Sequence, residues 1–294
     1  LAKCADGKVY SWGTAECGEL ARKNRLMKIP DPDGEEGDEI YDHHVVLHDY
    51  LTPGPMYFTL ASAPAGGDTE GDIKVDGTWL REVKDIKAFG CGSFHTLCVI
   101  NTRTYATGLN NYGQLGLGDT DNRAYFTEVE ALTGAGVVAV KGGTHHSLTL
   151  TSTGQLLAFG RGDSGQLGVP MVAEHAGGFV DVPIAPGTNN AKVLTELTSH
   201  KFTSIACGNN HCLAIATPDS DMLHLSKDSA TSSEPVLYSW GYGDMLALGH
   251  GLEKDETAPR RVLFGNKAKN PTKISAITCI DAGGQHSAIV AKVL

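Results

Sequence analysis

Apolar and polar positions along this chain alternate in short runs, without the spacing of an amphipathic helix. Val137-Val-Ala-Val140, Ser147-Leu-Thr-Leu150, Leu156-Leu-Ala-Phe159, Ile277-Thr-Cys-Ile280 and Ser287-Ala-Ile-Val290 are examples. Short apolar runs bounded by turn residues predict strands. The turns are visible too: Ala5-Asp6-Gly7 and Ser152-Thr-Gly154 have the residues that hairpins favour. Helical periodicity is weak throughout, so the pattern predicts an all-β protein.

The strand-like runs belong to a repeat. One phrase occurs as Tyr10-Ser-Trp-Gly-Thr-Ala-Glu-Cys-Gly-Glu-Leu20, Tyr105-Ala-Thr-Gly-Leu-Asn-Asn-Tyr-Gly-Gln-Leu-Gly116, Leu157-Ala-Phe-Gly-Arg-Gly-Asp-Ser-Gly-Gln-Leu-Gly168 and Leu237-Tyr-Ser-Trp-Gly-Tyr-Gly-Asp-Met-Leu-Ala-Leu-Gly249. A second phrase, Gly-x-x-His, is read as Gly92-Ser-Phe-His95, Gly142-Gly-Thr-His145, Gly208-Asn-Asn-His211 and Gly283-Gly-Gln-His286. Each Gly-x-x-His sits between two strand-like runs, and a turn then leads into the Tyr-x-Trp-Gly strand and its Gly-Gln-Leu-Gly tail. A last strand follows near a proline, as at Pro259-Arg-Arg-Val-Leu-Phe264. That makes four antiparallel strands per unit, which is the blade of a β-propeller. Three units are complete, over about 84–130, 135–185 and 193–264, with a partial unit at each end. Leu1 falls in a strand context, so the expectation is a single propeller fragment, 1–294, of a longer protein.

Charge adds one feature. The net charge is −10, but residues 26–87 hold 14 Asp/Glu against five Lys/Arg, and the rest is nearly neutral. The acidity therefore belongs to a loop insertion, 27–82, in which Val45-Val-Leu-His-Asp-Tyr-Leu51 is a candidate docked strand. A compact basic cluster, Arg22-Lys-Asn-Arg25, precedes it. A second insertion, 217–236, is rich in Ser, Thr and Asp. No apolar run is long enough to span a bilayer as a helix.

Bond-making chemistry is not expected. There is no G-x-S-x-G, no H-E-x-x-H and no phosphate-cradling G-x-x-x-x-G-K-[ST]. Ser147 and Ser287 occupy a repeated strand position, which scaffold explains. Adjacent histidines such as His145-His146 point to opposite faces of a strand and chelate poorly. The seven cysteines form no C-x-x-C pair and no cluster at metal spacing, so no metal site is assigned. Cys91, Cys98, Cys207, Cys212 and Cys279 lie in apolar runs and are expected to be small buried residues in a reducing compartment. The repeated histidines are read first as hydrogen-bonding residues of the turns.

The pairing of Cys-Gly-x-x-His-x-Leu with Tyr-x-Trp-Gly-x-x-x-x-Gly-Gln-Leu-Gly resembles the regulator of chromosome condensation family. The likeness covers nearly all of the chain outside the insertions. It is marked at Trp240-Gly-Tyr-Gly-Asp-Met-Leu-Ala-Leu-Gly-His-Gly251, Pro259 and Gly283-Gly-Gln-His286. It implies a seven-bladed ring in the full-length protein and guanine nucleotide exchange on the small GTPase Ran. Such a factor makes no bond and uses no cofactor or small-molecule substrate. It stabilises the nucleotide-free GTPase. By the same resemblance, the loops leading into Gly-x-x-His face Ran, which nominates His145, His146 and His286 with Asn209, Asn210 and Gln285. Chromatin attachment to histone and DNA nominates Arg22, Lys23 and Arg25, and implies a nuclear protein with a cytoplasmic pool as a further expectation. The runner-up is a propeller of the same family acting as an interaction or regulatory module without exchange.

Overall fold

The computed structural model describes residues 1–13, 17–22, 28–30, 39–41, 52–62, 72–75, 77–169, 192–193, 200–218, 235–266, 270–272 and 274–293. Within these, three four-stranded antiparallel meanders follow one another. The first blade is built from Ile86–Cys91, His95–Ile100, Arg103–Gly108 and Arg123–Glu128. The second is Val137–Gly142, His146–Thr151, Leu156–Gly160 and Lys192–Val193. The third is His200–Cys207, His211–Pro218, Val236–Gly241 and Glu256–Arg261. A partial blade precedes them, Ala2–Lys3, Val9–Ser11 and Gly54–Pro55. Another follows, Ile274–Ala282 with Ser287–Val293. The all-β propeller architecture is the one the sequence predicts.

The hydrophobic cores lie between blades. Leu97, Val99, Ala106 and Leu115 of the first blade pack against Val140, Leu157 and Phe159 of the second. Leu148, Ala158 and Leu167 of the second pack against Phe202, Cys212 and Trp240 of the third. The leucine of each Gly-Gln-Leu tail thus presses on the aromatic strand of the next unit. This placement explains why His95–Ile100 and His146–Thr151 are buried at every position. A strand covered on both faces loses the alternation of a half-solvated sheet.

The segment 27–82 contributes strands of its own. Tyr57–Thr59 pairs in parallel with the outer strand of the first blade, Phe58 opposite Phe126, and continues through Thr78–Glu82 to Asp72–Val75. The first blade's sheet therefore has seven strands. An outer edge with unpaired backbone groups is covered in this way. Lys28–Pro30 pairs with Glu39–Tyr41. The candidate strand Val45–Leu51 and most of the insertion 217–236 lie outside the described residues.

The cysteine expectation holds only in part. Cys98 and Cys212 are buried, but Cys91 and Cys279 are exposed and Cys207 is half-exposed. Residues Ile86–Cys91 alternate between faces, and a period of two turns every second residue of such a strand outward.

Candidate functional site

Successive blades are joined at the Gly-x-x-His turns. Gly92 N donates to His95 O, Gly143 N to His146 O, Gly208 N to His211 O and Gly283 N to His286 O. These four turns are in register, so in the second blade the motif is Gly143-Thr-His-His146. The reading through Gly142 and His145 is displaced by one residue. The turns also touch one another: Ser93 N donates to Gly143 O, Thr144 N to Asn209 O, and Asn209 N to Gly284 O, at 3.0, 2.8 and 3.3 Å. The glycine is needed for close approach. A Cβ on Gly143 would lie 2.1 Å from the His146 ring and 2.7 Å from Gly208 O.

Each aligned histidine reaches into the next blade. His95 Nε2 lies 2.8 Å from Ser147 Oγ, and that hydroxyl donates to Gln114 O at 2.7 Å. His211 Nε2 lies 3.0 Å from Ser287 Oγ, which donates to Ala247 O. At the middle joint His146 Nε2 lies 3.1 Å from Cys212 Sγ, which donates to Gln166 O. Trp240 Nε1 donates to the same carbonyl at 3.1 Å. Because the one hydroxyl proton goes to the carbonyl, Nε2 must be the donor in each histidine–serine contact. His95 Nδ1 is then the bare nitrogen, and it is buried without a partner. A second proton there would have no acceptor. Burial, with His146 and His145 nearby, accordingly pushes His95 down to about 3. Burial and the neighbouring His146 push His211 down to about 4. These residues are neutral latches, and Ser147 and Ser287 are the scaffold residues the repeat implied.

Of the nominated rim residues, His146 is therefore not on the surface: it is fully buried in a joint. His286 holds the latch position in the last strand pair and is exposed. The residues before the latches, Phe94, His145, Asn210 and Gln285, are exposed or half-buried. Phe94 O accepts from Leu109 N, His145 O from Arg161 N and Asn210 O from Tyr242 N. This pins each turn to the end of a Tyr-x-Trp-Gly strand, where the glycine has a left-handed φ, +101° at Gly241. A Cβ there would stand 2.5 Å from Asn210 O.

The structure brings His145, Asn209, Asn210 and Gln285 together along one line of turns. It adds neighbours that the repeated phrases do not single out. His145 stacks on Phe94, meets Tyr112 edge-on at 5.0 Å, and Arg161 lies over Tyr112. Arg161 is held by Asp163. Burial and the Arg161 charge lower the His145 pKa. Beside this group, Asn209, Asn210, Tyr242, Asp244, Gly284 and Gln285 line a small cleft, with Tyr242 hydroxyl bonded to Asp244. Tyr112, Arg161 and Tyr242 stand at non-consensus places in the tails, where no repeated pattern marks them.

The basic cluster is partly described. Arg22 Nη1 donates to Thr52 O at 2.8 Å, and its guanidinium lies against Gly54. Lys23 and Arg25 lie outside the described residues. No helix among the described residues is long and apolar enough to cross a membrane.

Comparison with known proteins agrees with this architecture. The chain is 28% identical over 305 residues to Protein pim1 of Schizosaccharomyces pombe, covering 98% of this chain and 43% of pim1. It is 29% identical over 304 residues to the E3 ubiquitin-protein ligase HERC2 of Homo sapiens, covering 98% of this chain and 5% of HERC2. Other relatives are named as guanine nucleotide exchange factors and as an ultraviolet-B receptor. Among solved structures, Prp20p from Saccharomyces cerevisiae, described with its binding properties to Gsp1p and histones, superposes with a TM-score of 0.62 at 21% identity, over 98% of this chain and 52% of that one. The chain thus spans about half the length of pim1 and Prp20p. The sequence model of the Regulator of chromosome condensation (RCC1) repeat matches residues 103–150, 153–215 and 236–290, more than half of the chain. With the blade joints and their Gly-x-x-His latches, this shows that the chain belongs to the regulator of chromosome condensation repeat family.

Proposed function

We propose that this chain is the partner-binding part of a guanine nucleotide exchange factor for a Ran-like small GTPase. The observation that carries the reading is the line of turns, where Phe94, His145, Asn210 and Gln285 project from one rigid backbone ladder. A surface held by inter-blade hydrogen bonds binds with little ordering cost. Its chemistry is mixed: an aromatic cluster capped by Arg161 beside a cleft of amides, Tyr242 and Asp244. Such surfaces suit protein partners, whose contact energy concentrates in aromatic and arginine side chains.

Exchange needs no proton transfer or nucleophile. The rim has to bind the nucleotide-free GTPase more tightly than the loaded one, and the difference lowers the barrier to release. The neutral latches contribute by holding the turns still. Relatives named as exchange factors, and a fold neighbour described as binding Gsp1p, support this reading. The match to HERC2 supports the second reading, a propeller that recognises a partner without exchange.

Release of a fluorescent guanine nucleotide from Ran decides between them. Accelerated release by catalytic amounts of the protein is expected. Stable binding to Ran with no acceleration leaves the interaction module. Histone or DNA contact through Arg22, Lys23 and Arg25 is a separate proposal, supported by the basic cluster and by the histone binding described for Prp20p. Nucleosome pull-down by an Arg22→Ala/Lys23→Ala/Arg25→Ala variant tests it. Unchanged retention removes the assignment.

A further inference from the structure

The geometry points to a zinc site at the joint between the second and third blades, formed by His146, Cys207 and Cys212. Their donor atoms all lie within 4.8 Å of one another. The two sulfurs are 3.7 Å apart, and His146 Nε2 is 3.1 Å from Cys212 Sγ. Around a tetrahedral zinc ion, Zn–S bonds of about 2.3 Å put two sulfurs ~3.8 Å apart, and a Zn–N bond of about 2.0 Å puts nitrogen ~3.5 Å from each sulfur. The sulfur pair already has that separation, and the contact of the nitrogen with Cys212 Sγ is a few tenths of an ångström short of it.

The latch alone does not account for the thiol of Cys212. At the other joints the position of Cys212 is a hydroxyl, Ser147 or Ser287, and a hydroxyl completes the relay to the carbonyl. A thiol is a weaker hydrogen-bonding group. The position of Cys207 is Cys91 in the first blade, Gly142 in the second and Ala282 in the last strand pair, and Cys91 lies opposite Thr96, not opposite a second thiol. Among the described blades, Cys207 and Cys212 are the pair at this position in which both opposed residues of the hairpin are thiols. They convert a hydrogen-bond latch into a set of two thiols and an imidazole. The ligands come from two blades, so the ion would staple them.

The repeat itself supplies substitutions that keep the fold. Cys212→Ser restores the histidine–serine latch of the neighbouring joints, and Cys207→Ala copies Ala282. Reduced protein titrated with Co2+ in the absence of oxygen is expected to develop tetrahedral cobalt bands with thiolate charge transfer, displaced by Zn2+. Zinc should also raise the unfolding midpoint. Both responses should be lost in Cys212→Ser and Cys207→Ala, and retained in Cys91→Ser and Cys279→Ser. A wild-type protein without the bands, or bands that survive in either joint variant, overturns the proposal.

Discussion

His95 of the first blade and Ser147 of the second meet across the inter-blade gap, Nε2 to Oγ at 2.8 Å, with both side chains fully buried. The serine hydroxyl donates its own hydrogen bond to Gln114 O. One side chain thus ties together a turn, the next blade's second strand and a Gly-Gln-Leu tail.

Ser147→Ala should therefore cost more than a lost hydroxyl. It leaves the His95 N–H and the Gln114 carbonyl without their partner in a buried joint, at about 1–3 kcal/mol. Denaturant midpoints at constant slope would measure this. A variant as stable as wild type would show that water replaces the hydroxyl.

The latches make stability depend on pH in a defined sense. His95 and His211 have folded pKa values of about 3 and about 4, below the ordinary 6.5. The unfolded chain then binds more protons between those values and 6.5. Stability is fully present above 6.5 and falls as the solution is acidified, by up to ~1.4 kcal/mol per pH unit for each histidine. Between pH 6.5 and 5, before carboxylates contribute, the slope for His95→Gln should be smaller by up to one proton. An unchanged slope would mean that His95 does not titrate across unfolding.

Two adjacent histidines should separate cleanly. His145→Ala removes ring contacts with Phe94 and Tyr112 at the half-exposed rim and should cost only about 1 kcal/mol of stability. If the rim faces the GTPase, the same variant should slow nucleotide release by about tenfold or more. His146→Ala empties a buried latch and should cost about 2–4 kcal/mol. Equal stability losses in the two variants would place both side chains in the scaffold.

Glycines of the repeat should differ by role. Gly143→Ala puts a methyl group 2.1 Å from the His146 ring and 2.7 Å from a backbone oxygen of the next blade. Backbone on one side and a latch on the other leave no slack, so a loss of about 3 kcal/mol or more is expected. At Gly134 nothing lies within 4 Å, and only the φ of +80° opposes a side chain. Gly134→Ala should cost about 1 kcal/mol. Thermal unfolding of the pair checks the contrast.

Much of this was legible in the chain. Short alternating runs, hairpin turns and four copies of two phrases are local patterns, and they suffice for four-stranded blades because strand period and turn geometry are set by neighbouring residues. The identity of Gly-x-x-His as scaffold could be read for the same reason. The register of the second blade could not. Gly142-Gly143 and His145-His146 are both doubled, so the sequence admits two alignments a residue apart. Only the bonds to the next turn select His146 as the latch and turn His145 outward.

What the tertiary structure alone decided is which residues meet. The latch partners stand 52, 66 and 76 residues apart, and the loops between them differ in length. No local pattern encodes such a pairing. It arises because each blade buries its strands against the next, and that packing sets His95 on Ser147, lines up the rim residues, and draws His146 to Cys207 and Cys212.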